Sequence, residues 1–162
     1  PGDLVLTRDH GPQPILLISQ NEFSAVGRNA PVRICKGALG NNVDLLVSQQ
    51  HRMLIDDWRA ELFFGEDEVL VSAKHLVNGD TIYVHEGGKV EYFHLLFQQH
   101  EIIWGAGILS ESYFPPHFAE RSDNETLDEI RRMFPNISLF TGGFEQAARP
   151  VIPSRMAKLL AA

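Results

Sequence analysis

Ser48 and His51 stand three residues apart where the apolar run Val43-Asp44-Leu45-Leu46-Val47 ends. A hydroxyl at a strand end can bond its own main chain and fix a turn. Such a turn can aim an imidazole at a peptide bond, to activate a nucleophile or to protonate a departing amide nitrogen. Taken alone, S-x-x-H is a short pattern, equally satisfied by a strand-end turn that carries a surface histidine. Two further histidines lie near the end of the β-rich region: His94 inside the run Val90–Phe97, and His100 directly before Glu101-Ile102-Ile103-Trp104.

The other candidates for chemistry read as structural. His10 falls in a polar turn and is expected to be exposed, His75 and His85 flank strand or helix ends, and His117 follows two prolines. No H-E-x-x-H, H-x-H or Cys/His cluster occurs, so no metal site is expected. Gly87-Gly88 and Gly142-Gly143 open neither phosphate-loop pattern, and no cofactor is expected. Cys35, the single cysteine, follows the alternating Val32 and Ile34 and reads as a partly packed, inert thiol. Trp58 and Trp104 read as core or half-buried packing residues.

The elements that must position these side chains are short strands separated by turn residues. Strands are expected over Leu4–Thr7, Ile15–Ile18, Val32–Ile34, Val43–Val47, Met53–Ile55, Glu61–Phe64, Val69–Val71, Thr81–Val84, Val90–Phe97 and Glu101–Trp104. Asp9-His10-Gly11, Glu86-Gly87-Gly88 and Gly105-Ala106-Gly107 supply turns, and Ala73–Val77 one helical turn. Close spacing without a long amphipathic helix predicts a mostly β sandwich, barrel or curled ribbon, not a βαβ fold. After Ser112 the character changes. Phe114-Pro115-Pro116-His117 is an extended connector, a helix is predicted from Asp123 to Phe134, and a short one over Arg155–Leu160. Residues 1–112 are thus expected to form the β-domain, and 113–162 a connector and helical appendage packed on it. The length of 162 residues suits one domain with its own core. A net charge of −7 without a basic stripe argues against a nucleic-acid binder. No apolar run reaches membrane-spanning length.

Several blocks together resemble the hedgehog/intein (Hint) domain. Pro1-Gly2-Asp3-Leu4-Val5-Leu6 is similar to its P-G-D-x-V-L segment, and Ser48-Gln49-Gln50-His51 to its T-x-x-H block. Tyr92-Phe93-His94-Leu95-Leu96 and His100 through Leu109 resemble its last block. Pro31–Ile34, Gly37–Gly40, Glu61–Glu66, Ala73–Val77, Ser110–Ser112 and Ala148–Val151 fit a bacterial subgroup of the family, so the resemblance covers nearly the whole chain.

The resemblance implies a Hint-type curled β-ribbon and an N-to-S or N-to-O acyl shift on the domain's own precursor, in cis, with no cofactor and no metal. It implies that His51 acts on the scissile amide, that Ser48 holds that amide or the histidine, and that His94 or His100 is the second-site imidazole. It places the Cys or Ser nucleophile upstream of Pro1, so the chain is expected to be N-terminally truncated and inactive as it stands. Gly107-Ile108-Leu109 runs into Ser110-Glu111-Ser112 with no His-Asn pair, so N-terminal cleavage is implied, not splicing. No Asp lies between Ile18 and Asn21, which argues against sterol transfer. The implied parent is a larger bacterial protein, with its compartment and oligomeric state open and no nucleic-acid or membrane partner expected. The alternative is a non-catalytic Hint-like β-module used for binding or as a spacer. A trans-acting hydrolase built on Ser48 and His51 ranks below both, since no third orienting group is evident.

Overall fold

The computed structural model describes residues 1–114 and 146–160. Among the described residues there are eleven strands: β1 (Leu4–Thr7), β2 (Gly11–Pro14), β3 (Leu17–Ser24), β4 (Val32–Ile34), β5 (Leu45–Val47), β6 (Arg52–Ile55), β7 (Val69–Ser72), β8 (Ile82–Val84), β9 (Lys89–Leu96), β10 (Ile102–Gly105) and β11 (Ile108–Glu111). They form a six-stranded sheet in the order β2-β1-β10-β11-β6-β7, a β3-β9 ribbon and a three-stranded sheet in the order β5-β4-β8. All pairings between these strands are antiparallel. The first strand lies beside the last hairpin, with Thr7 opposite Ile103. The ends of the β-region therefore meet. The fold is mostly β, of the curled, multi-sheet kind expected.

One core cluster joins Val32, Ile34, Met53, Ile55, Val69, Val71 and Ile82, all buried, so it lies between the six-stranded and three-stranded sheets. The chain's last described residues belong to it. Ile152, Ala157 and Leu160 are buried in the same cluster. Val151 makes a parallel bridge to Leu70, where the Leu70 main-chain N–H donates to Pro150 O and that of Ile152 to Leu70 O, each at 2.9 Å. This covers the outer edge of β7, whose unpaired main-chain groups would otherwise invite another strand. The short helix α2 (Ser154–Ala157) follows. The helix expected over 123–134 falls outside the described residues.

Five expectations change. β3 runs from Leu17 to Ser24, past the expected Ile15–Ile18, and β11 lies beyond the last expected strand. Glu61–Phe64 is not a strand but the end of helix α1 (Trp58–Phe64). Asp57 caps it by accepting the Arg59 main-chain N–H at 2.9 Å, and Gly65 ends it at φ 70°, a left-handed conformation that costs glycine little. Pro12 and Pro14 lie in β2, a segment not expected to be a strand; as the sheet's outermost strand it tolerates missing N–H donors. Trp58 and Trp104 are 67% and 43% exposed, not core residues.

Candidate functional site

The turn Ser48-Gln49-Gln50-His51 links β5 to β6. The His51 main-chain N–H donates to both Ser48 O and Ser48 Oγ at 3.1 Å. Gln49 anchors the turn from outside, its Nε2 donating to Gly27 O at 2.8 Å and Ala30 O at 3.0 Å. Behind it, His51 O accepts the Ala73 N–H at 2.9 Å and Gln49 O the Lys74 N–H at 3.1 Å. The turn is thus held by its own bonds and by bonds to two other segments, 27–30 and 73–74.

Ser48, His51 and His94 line one cavity of about 420 Å³. Arg52, Phe93, Leu95, Ile103, Glu111 and Tyr113 also form its walls. The β3-β9 ribbon brings His94 there, opposite Ser19 in its register. The His94 ring meets the Tyr113 ring edge-on, with centroids 5.2 Å apart. Its Nδ1 is buried with no hydrogen-bond partner. A buried nitrogen left unpaired costs free energy, which makes it the polar atom in the wall most in want of a ligand. His100 is not among the lining residues. It lies behind the wall, fully buried, with Nε2 3.4 Å from Glu111 Oε2 and its ring stacked on Phe114 at 4.5 Å.

Burial, which disfavours charge, lowers the pKa of both cavity imidazoles. For His51 burial is the largest cause; the Glu111 carboxylate opposes it, while Arg52 and His100 add to it. For His94 burial again leads, with a smaller contribution from His51. Both rings are therefore biased to the neutral form, which offers one N–H donor and one lone pair. The start of the chain is tied to the same wall. Gly2 N–H donates to Ile15 O at 2.7 Å and Leu16 N–H to Leu96 O at 2.9 Å, and Leu96 follows the cavity-lining Leu95.

A family model described as Hint domain matches residues 1–117. The chain belongs to the Hint domain family. No curated protein and no solved structure matches it. The Hint match contains the Ser48–His51 turn, His94, His100 and both strands of the last hairpin, so the whole cavity wall described above falls within it.

Two other histidines of this Hint domain, His10 and His75, have hydrogen-bond partners. His10 Nδ1 lies 2.9 Å from the buried Glu101 Oε2, a bond that raises its pKa. His75 Nε2 lies 2.9 Å from Ser154 Oγ. Cys35 is half-buried, outside the cavity. Among the described residues no group of His, Cys, Asp or Glu is placed to hold a metal ion, and no helix is long and apolar enough to cross a membrane. Sequence reading gave no role to Glu111, although its carboxylate stands in the cavity wall; its partner Arg52 is 59 residues away.

Proposed function

We propose that this Hint domain processes its own precursor, by an N-to-S or N-to-O acyl shift followed by cleavage on its N-terminal side. The observation that carries the reading is the meeting of Ser48, His51 and His94, drawn from two distant blocks, in the wall of one cavity. In the reaction, a thiol or hydroxyl on the N-terminal side of Pro1 attacks the carbonyl carbon of the residue before it. Its proton passes to an imidazole lone pair, for which the unpartnered His94 Nδ1 is placed. The C–N bond breaks as the imidazolium of His51 gives a proton to the departing amide nitrogen; His51 regains a proton from the imidazolium formed at His94, so both rings are restored and no proton is gained or lost overall. A neutral imidazole suits the first step and an imidazolium the second, an exchange open to histidine near neutral pH. Water or a second nucleophile then takes the acyl group from the (thio)ester and frees the thiol or hydroxyl.

In this reading Ser48 acts through the turn, since its oxygen accepts the His51 main-chain N–H. The trans-hydrolase reading gains no support, because no hydrogen bond between Ser48 Oγ and the His51 ring is present among the described residues.

The reading is tested on the precursor carrying the residues N-terminal to Pro1. A thioester or ester intermediate predicts that hydroxylamine accelerates cleavage and leaves a hydroxamate on the released N-terminal fragment. An intact precursor under all conditions would leave the binding or spacer module as the reading.

A further inference from the structure

Glu111 ends β11 with its carboxylate buried; the residue is 8% exposed. A buried carboxylate is expensive unless its lone pairs are matched, and Glu111 is gripped by Arg52. Its Oε1 accepts the Arg52 main-chain N–H and its Oε2 the Arg52 Nη1–H, both at 2.9 Å. On the other side lies His100 Nε2, 3.4 Å from Oε2. His100 Nδ1 accepts the Ala148 main-chain N–H at 3.0 Å, which leaves Nε2 as the ring's N–H. The Arg52 N–H belongs to the peptide that follows His51, so the bond to Oε1 pins the exit of the catalytic turn. Glu111 is also the one acid among the residues lining the cavity.

We propose that Glu111 is the positioning residue of this site, fixing the Ser48–His51 turn at its Arg52 end and supplying the negative charge against which His51 takes up a proton. Charged and titratable groups face His51 from every side: Arg52 from its own strand, Glu111 from β11, His100 from the β9–β10 connection and His94 from β9. Of these Glu111 favours the imidazolium of His51, while burial, Arg52 and His100 oppose it.

The inference deepens the self-processing reading and rests on it for the reaction, but its test is made on His51 itself. The chain of 162 residues is titrated by NMR, following the His51 ring protons. Glu111→Gln keeps an acceptor for the Arg52 N–H and removes the charge, and it is expected to weaken proton binding at His51 about tenfold. Arg52→Met removes a cation and is expected to strengthen it. A purely structural role for Glu111 would leave a folded Glu111→Gln protein with the His51 midpoint of the wild type, which overturns the proposal. Should that variant not fold, an Arg52→Met midpoint equal to or below the wild type overturns it, and one above upholds it. In the precursor, Glu111→Gln shifts the pH profile of cleavage. A wild-type precursor that never cleaves sinks the self-processing reading and leaves the titration result standing.

Discussion

The main-chain N–H of His51 is shared between the carbonyl and the hydroxyl oxygen of Ser48, each 3.1 Å away. A threonine can make the same bond; an alanine cannot. Ser48→Ala is expected to cost about 1 kcal/mol of stability and to slow cleavage of the precursor more than that loss alone would. Ser48→Thr should retain both. Urea denaturation of the three proteins together with their cleavage rates decides the matter, and equal rates in Ser48→Ala and wild type would remove the turn from the mechanism.

The depressed pKa values of His51 and His94 link stability to pH. Both rings have an ordinary value of 6.5 and lie below it in the folded chain, chiefly through burial. Above that value both states are neutral and nothing is lost. As pH falls below it, the unfolded chain takes up protons that the folded chain refuses, and stability declines until the folded values are passed. His10 works in the opposite sense, stabilising below 6.5 and fading as pH rises through its raised folded value; its half-exposed ring makes that contribution small. Asp9 and Glu68, held down by Arg149, act in a lower window set by ordinary values of 3.8 and 4.5. The urea midpoint is therefore expected to be lower at about pH 5.5 than at about pH 7.5. His94→Phe, which keeps a ring against Tyr113, should flatten the slope; an unchanged slope would mean that His94 is solvated.

Ala106 adopts φ 52° beside Gly107 at φ 83° in the two-residue loop joining β10 to β11. Positive φ at both positions is the signature of a type I′ turn, which favours Asn-Gly. The Ala106 side chain bears a left-handed strain that asparagine bears better. Ala106→Asn is expected to stabilise the domain by about 1 kcal/mol, seen as a higher Tm. A lower Tm would show that the loop relaxes differently.

Asn41 is buried and makes four bonds. Its Nδ2 reaches the carbonyls of Ile34, Cys35 and Val43 at 3.3, 3.0 and 2.7 Å, and its Oδ1 accepts the Leu39 N–H at 3.1 Å. Asn41→Ala leaves these groups unmatched and is expected to cost about 2 kcal/mol or more. A loss below half of that in chemical denaturation would imply that water replaces the side chain.

Much of the framework was legible because short apolar runs bounded by turn residues do not fit helices. β1, β4 and β7 lie close to where those runs fall. α1 was misread because Leu62-Phe63-Phe64 is continuous and apolar, and a short run of that kind has no period to separate strand from helix. The caps Asp57 and Gly65 were the better signal. β2 escaped because proline marks turns except at a sheet edge, and edge position is a tertiary fact. At the site, Ser48 and His51 were readable from turn chemistry and His94 from family resemblance. The placement of His100 behind Glu111 was not, because it depends on Ala148 and Arg52, neither of them a neighbour in sequence.

The central claim, that His51 drives cleavage of the precursor, is tested most directly by mass spectrometry of the precursor and its His51→Ala variant, each with and without added thiol. The account predicts a wild-type fragment cut on the N-terminal side of Pro1, faster with thiol, and a His51→Ala precursor that folds and stays intact. Cleavage of the His51→Ala precursor at the wild-type rate would contradict it.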